Sequence, residues 1–526
     1  MLGAVRPAAK SYVVRLYCKS TIKELKIIKN IASYYTIKKT IMNKSQSKIN
    51  KSLFYLFLAV GVFLRVFQFT ENPLWADEAF TQYWSRSIIE GEWRWLWQID
   101  FNPPLYYIAQ SPFSYLSTEL GFQNEISARI PSLIFELIFI LFAYRFLKSK
   151  EKNNIPQIFL ILWMVSPSAI EAARTGRGYT LLLLFSFIAW RKIKKILKEN
   201  QQKKDKNINM KDKIIFTIST TGMLYTHYYG FLILGGLFLY SASIKKTKKY
   251  LLAIIPTILL FIPWLPKFII QLDRGNEMIQ DITLTRIPRG LISIFTGQTI
   301  FLENFGMENK DLILCIFTTG IMSFLLVKSM NKKNKSLIFE AFSIPFLAML
   351  FSFMGLEVWE EYWFLPSIPA IIILIAQSLN KADKKNQIGF YPLVLVLSYI
   401  SLQISYYSHQ EWNLVKEAKE KIIFANTPFD IYPLKFILEN KSKKDYELTY
   451  SHYEDEENYG QKLAKKICDA SQKDTDSFFV SGSFDPTPSG GIIQNLKECK
   501  SLKMIKEKIG RRVFLYEYAS IKNQEK

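Results

Sequence analysis

"SLFYLFLAVGVFLRVFQFTENPLWADEAF", residues 52–80, decides the architecture. Ser52 to Phe69 approaches the roughly 20 predominantly apolar residues that a helix needs to cross a bilayer. Lipid leaves backbone polar groups no solvent partner, so such a segment is expected to be helical. Directly after it, Asp77 and Glu78 stand between Trp75 and Phe80, two acids among aromatics where the chain leaves the membrane.

Outward from this stretch, charge sets the orientation. The residues before Ser52 are basic and lack the apolar run and cleavage pattern of a signal peptide. They are expected to form a cytoplasmic extension over 1–51, with Met42 an equally natural start, so that the amino terminus is cytoplasmic. The next segment, Glu71 to Asn102, carries six acids and two arginines, as an external loop should. "PPLYYIAQSPFSYL", residues 103–116, is short for a span and contains Pro112, which predicts an interfacial helix on the outer surface within an external loop 71–127.

The pattern repeats along the 526 residues. Apolar segments at Ala128–Leu147, Ile155–Ile170 and Gly178–Trp190 alternate with Lys-rich links, and Arg191 to Lys213 holds ten Lys or Arg against three acids. Ile214–Ile244 has basic flanks on both sides, so parity requires two crossings turning near "THYYG". Leu251–Ile270, Asp311–Val327, Ser336–Leu356, Tyr362–Leu379 and Ile388–Tyr407 complete about eleven crossings. The net charge of +23 is spread over these short links. It therefore argues against nucleic-acid binding and for a multi-pass protein of the plasma (inner) membrane.

Residues 52–407 thus read as a transmembrane domain and 408–526 as a small extracytoplasmic α/β domain. In the latter, "EWNLVKEAKEKII" and "NYGQKLAKKICDA" are expected helices, and "YELTYSHY", "DSFFVSG" and "RRVFLYEY" expected strands. The four cysteines have no metal spacing. Cys468 and Cys499 share this external region and can be oxidised to a pair there, although sequence does not give their geometry.

Parity also sorts the polar residues. Asp77, Glu78, Asp100, Arg129, Glu171, Arg174, Arg177, His227, Lys267, Glu360 and Glu361 all fall at expected external ends, where they can converge on one cavity at the membrane surface. Bland roles stand beside the chemical ones. Asp77 can be a helix cap, the arginines solvated, His227 a hydrogen-bonded interior residue, and Lys267 a snorkelling lysine.

Together, "LWADEAF", "NPPLYY", "ARIPS", "SPSAIEAARTGRGYTLLLL" and "THYYG" resemble the GT-C glycosyltransferases over roughly residues 52 to 380. The likeness is nearest to the Rgt-type lipopolysaccharide sugar transferases and the protein O-mannosyltransferases. It implies a polytopic α-helical GT-C fold with external juxtamembrane helices. It implies an inverting transferase that takes a sugar from a polyprenyl phosphate to an envelope glycolipid, lipopolysaccharide, polymer or protein. Asp77 would be the general base with Glu78 beside it, and Arg174 the phosphate-facing arginine with Arg177 and Tyr179 close by. His227 and Tyr228 match the family's "HY", while Arg129 and Asn102 complete the implied donor contacts. Two positions depart from the pattern. Asn102 replaces the His of "HPPLYY", and Glu361-Tyr362 replaces a late "RY".

No prosthetic group is implied, and a divalent cation at the acid pair is left open. A transporter or flippase is the main alternative, but internal repeats and polar residues at mid-membrane, its usual marks, are not evident. A receptor-like protein acting through residues 408–526 is a second alternative, one that leaves the loop acids without a purpose.

Overall fold

The computed structural model describes residues 51–93, 102–151, 153–198, 210–275, 286–297, 309–356, 358–381 and 390–407. Beyond these it describes 422–425, 436, 447–450, 465, 467–469, 478–483, 499, 502–509 and 513–520. The basic extension and Asp100 lie outside the described residues.

A helix occupies each apolar segment read from the sequence. They are α1 (Lys51–Val66), α4 (Asn124–Lys150), α5 (Ile155–Met164), α6 (Pro167–Ala173), α7 (Tyr179–Lys198), α8 (Met210–Thr226), α9 (Tyr229–Ser243) and α10 (Thr247–Phe261), followed by α11 (Leu265–Gly275). After α12 (Arg286–Thr296) come α13 (Asn309–Ser329), α14 (Lys335–Phe353), α15 (Ile368–Lys381) and α16 (Phe390–Tyr407). Two helices, α2 (Ala76–Ile89) and α3 (Leu105–Thr118), lie between α1 and α4 and pack on one another. The second of these is the helix expected at 103–116.

Among the described residues four helical stretches are long and apolar enough to cross a membrane, or five if the bent pair α5–α6 counts as one. Large apolar side chains face outward on several helices: Tyr55 is 65 % exposed, Leu252 61 % and Phe317 66 %. Rings of this kind around a closed core suit lipid and would be unusual on a water-soluble monomer. The core itself holds Phe139, Phe159, Trp163, Trp190 and Ile375 with no exposed surface.

One segment departs from the expectation of a straight span over Ile155–Ile170. It breaks after Met164 and resumes at Pro167 with a 60° bend. Proline lacks the N–H that would continue the ladder and clashes with the preceding turn, so "SP" is a physical break point. The bend lays α6 against α1, and residues 174–178 that follow it lie beside the acid pair.

At the other end of α7, cations and carboxylates interlock. Arg191 and Lys194 hold the buried Glu340 of α14 at 2.5 and 3.1 Å. Lys192 holds the buried Asp212 of α8 at 2.6 Å, and Lys195 joins the same carboxylate.

After α16, five strands form one sheet in the order β2-β1-β3-β5-β4. They are β1 (Ile422–Ala425), β2 (Glu447–Tyr450), β3 (Phe478–Ser483), β4 (Leu502–Ile509) and β5 (Val513–Ser520). β1 runs parallel to β2 and β3, whereas β5 is antiparallel to β3 and β4. The three strands read from the sequence correspond to β2, β3 and β5. Ile422 and Ile423, read as the end of a helix, belong instead to β1, because pairing with β2 and β3 overrides a local helical period. The rest of that expected helix lies outside the described residues. Cys468 and Cys499 are joined, with Cα atoms 5.9 Å apart, and Cys315 is a buried free thiol.

Candidate active site

The two acids sit in the first turn of α2, where the positive end of the helix dipole favours carboxylates. Their settings differ. Glu78 is buried at 1 % exposure, and the Arg129 guanidinium grips it with Nε to Oε1 at 3.0 Å and Nη2 to Oε2 at 2.8 Å. The Gly176 N–H donates to its Oε1 at 2.7 Å, and the Trp75 N–H to its Oε2 at 3.4 Å. The capping role weighed for Asp77 is thus taken by Glu78.

Arg129 also donates to the carbonyls of Phe69, Asn72 and Pro73, at 2.6, 3.0 and 3.1 Å. It ties the chain leaving α1 to the start of α4. Removing one partner of such a buried pair costs roughly 3–5 kcal/mol, because the other charge is left without compensation. Glu78 and Arg129 therefore hold the loop in shape.

Asp77 is the accessible acid, its side chain 40 % exposed, and its Oδ2 lies 3.7 Å from Nη2 of Arg177. Arg177 in turn donates through Nη1 to Thr81 Oγ1 at 2.9 Å and to the Asp77 carbonyl at 3.3 Å. Its own carbonyl accepts from Ser132 Oγ at 3.1 Å, and Ser132 shares a 2.8 Å hydrogen bond with the Tyr106 hydroxyl. Burial pushes the Tyr106 phenol well above its ordinary range, so it remains protonated. Ser132 thus anchors the main chain of Arg177, while Thr81 and the Asp77 carbonyl hold its guanidinium beside the Asp77 carboxylate.

Arg174 goes elsewhere. Its Nη1 donates to the carbonyls of Leu64, Arg65 and Phe67, at 3.1, 3.2 and 2.5 Å, which are the orphan acceptors at the end of α1. Burial, with Arg129 next and Glu78 opposing, lowers the guanidinium to about 9, so it is still a cation at neutral pH. The arginine implied to face phosphate thus caps α1, and the one beside it faces Asp77.

Tyr179 and His227 adjoin this pair, their rings 6.3 Å apart. His227 accepts the Tyr229 N–H on Nδ1 at 3.1 Å, and burial, aided by the nearby Arg177 charge, lowers it to about 3. It is neutral at physiological pH. Tyr228 turns away, donating to Gln271 and accepting from Trp264 Nε1 at 3.0 Å. Asn102 is half-buried before α3, and no hydrogen bond ties it to Asp77 or Arg177 among the described residues. Lys267, expected to snorkel, is buried with 6 % exposure.

Glu171 and Tyr179 line a cavity of about 20 Å³ with Thr175 and Phe364, room for one or two waters. Glu360 meets Arg286 of α12 at 3.5 Å, a cation that no sequence motif singled out. The side chains of Glu361 and Tyr362 lie outside the described residues. No group of three or more His, Cys, Asp or Glu side chains is gathered for a metal ion among the described residues.

No protein-family model matches the sequence, and none of the curated proteins matches it. Solved structures do match in fold. ArnT from Cupriavidus metallidurans bound to undecaprenyl phosphate superposes with a TM-score of 0.52 at 12 % identity, over 89 % of this chain and 98 % of that one. The oligosaccharyltransferase AglB from Archaeoglobus fulgidus, in complex with an inhibitory peptide and a dolichol-phosphate, superposes with a TM-score of 0.51 at 10 % identity. That match covers 82 % of this chain and 69 % of AglB. The polypeptide described above therefore shares its fold with ArnT and AglB.

Proposed function

We propose that this chain transfers a sugar from a polyprenyl-phosphate donor to an envelope acceptor, at the side of the membrane where α2 and the loop 174–178 meet. The observation that carries the reading is the Asp77–Arg177 pair. A partly exposed carboxylate stands 3.7 Å from a guanidinium, and the neighbouring acid is withheld from solvent. Two further facts support the donor class: ArnT was solved with undecaprenyl phosphate and AglB with a dolichol-phosphate.

The chemistry divides between the two groups. Asp77 accepts the proton of the acceptor hydroxyl as its oxygen attacks the anomeric carbon. The bond from that carbon to the phosphate oxygen breaks, its electrons remaining with the lipid phosphate, and Arg177 offsets the charge that grows there. One displacement with one base inverts the anomeric configuration. Glu78 takes no part in proton transfer in this scheme, since its oxygens already accept from Arg129, Gly176 and Trp75. For the same reason Asp77 and Glu78 do not offer a joint set of oxygen donors for a divalent cation, and no step here uses one. The acceptor approaches from the extracytoplasmic side, the side to which the charge pattern assigns the carboxy-terminal part of the chain.

Membranes carrying wild type or Asp77→Asn, incubated with radiolabelled polyprenyl-phosphate sugars and envelope acceptors, test this. Wild type is expected to release label from lipid, and Asp77→Asn to lose at least about a hundredfold in rate, the usual contribution of a general base. Equal activity in a correctly inserted Asp77→Asn protein would remove Asp77 as the base.

A further inference from the structure

A further ion pair lies inside the helical bundle, apart from the loop. Arg65, in the last turn of α1, and Glu136, at the middle of α4, are 5 % and 1 % exposed. Arg65 Nε reaches Glu136 Oε2 at 2.7 Å and Nη2 reaches Oε1 at 2.6 Å, while Trp163 of α5 donates its indole N–H to Oε1 at 2.9 Å. Intramembrane ionisable groups are costly, and they persist where they have work to do.

The remaining donors of Arg65 show what that work is. Nη1 donates to the Met164 carbonyl at 2.7 Å, and Nη2 to the Trp163 carbonyl at 3.4 Å. These are the last carbonyls of α5. The helical partner of Trp163 would have been the nitrogen of Pro167, which carries no hydrogen. Gly61 permits the approach, since a Cβ there would lie 2.6 Å from both the Cβ and the carbonyl oxygen of Met164. Arg65 therefore caps α5 at its break, while Arg174, just after α6, caps α1. Each helix end is closed by an arginine from the other's segment, and Glu136 fixes the first of the two.

We propose that the Arg65–Glu136 pair is a positioning device for the candidate active site: by holding the bend between α5 and α6 it sets where Gly176 and Arg177 lie against Glu78 and Asp77. This rests on the transfer reading for its consequence in catalysis, but its structural part can be measured without substrate.

The test uses full-length protein in detergent and three variants, Arg65→Lys, Glu136→Gln and the uncharged double variant Arg65→Met/Glu136→Leu. Lysine keeps the charge, but its three donors cannot replace the five hydrogen bonds of Arg65, two to Glu136 and one each to the carbonyls of Gly61, Trp163 and Met164. The double variant leaves no unpaired charge, so it is expected to fold even if a single variant does not. Amide hydrogen exchange over 174–178 is read beside the rest of the chain. Exchange there is expected to rise about tenfold in every variant that folds, with α14 and α15 unchanged. For turnover, kcat is expected to fall by a larger factor than donor KM rises. Wild-type exchange over 174–178 in a folded variant overturns the proposal, and so does a uniform rise along the chain, which would mark a merely structural pair. A wild type that turns over no donor would count against the transfer reading, while the exchange result would still decide the positioning.

Discussion

Asp77 and Glu78 are neighbours on one helix turn, yet packing gives one to the loop and leaves the other accessible. Hydropathy and motif order made the pair conspicuous but did not divide it, because the division depends on Arg129 and Gly176, far along the chain. The same holds for the arginines of "RTGRGY". Their spacing is legible, but only the carbonyls left open by α1 decide that Arg174 caps and Arg177 faces Asp77. Arg65, the one charge in Ser52–Phe69, and Glu136, the one acid in Ala128–Leu147, carried a signal that was passed over. His227 supplies a pH test at this scale. Its folded-state value of about 3 lies below the unfolded value near 6.5, so the unfolded chain binds the extra proton between them and stability falls as pH drops through that window. Between pH 6.5 and 5 this amounts to on the order of 2 kcal/mol. His227→Gln should therefore show a smaller fall in melting temperature over that range than wild type. An equal fall would mean that His227 is charged in the folded protein.

Among the elements, the apolar segments and the short helix α3 were readable from residue type alone, because lipid imposes length and composition on every span. The break in α5–α6 was not read, although Pro167 announces it, since an apolar run on both sides looks continuous to a hydropathy window. β1 was taken for part of a helix because four residues between longer polar stretches carry little periodic signal. The loop that follows α6 depends on a close approach: a Cβ on Gly176 would lie 2.8 Å from the Ala128 carbonyl oxygen. Gly176→Ala must push the loop off the start of α4 and stretch the bond to Glu78. Strain of this kind costs about 1–3 kcal/mol. A lower melting temperature together with reduced turnover is the expected result, and an unchanged melting temperature would show that the loop can move without loss.

For the whole molecule, the sequence separated a membrane part from a carboxy-terminal part but gave no sign of how they join. The join includes Phe436, 1 % exposed, which packs on Leu74, Ala79 and Ala128, with the Arg86 guanidinium 4.8 Å above its ring. Those three residues flank Trp75, Glu78 and Arg129, so the contact bears on the frame of the site. Phe436 stands in the apolar run "IYPLKFIL", residues 431–438, where nothing in the pattern marks which side chain docks on the loop. Phe436→Ala removes a buried ring, a change that typically costs 3–5 kcal/mol. Proteolytic release of the part after Tyr407 should then quicken by at least about tenfold, while the helical part keeps its melting temperature. Release at the wild-type rate would place the main attachment elsewhere.

The interlocked cations at the end of α7 bear on the order in which the chain is assembled. Arg191, Lys192, Lys194 and Lys195 precede both of their carboxylate partners, Asp212 and Glu340, in the chain. While α7 is being inserted during synthesis, neither acid has yet been delivered to it, so the four charges act first as a retention signal at the membrane face. Once α8 and then α14 arrive, the same charges become fasteners. Topogenesis and locking are thus separated in time by sequence order alone, with nearly 150 residues between the start of the signal and the last of the acids that silence it.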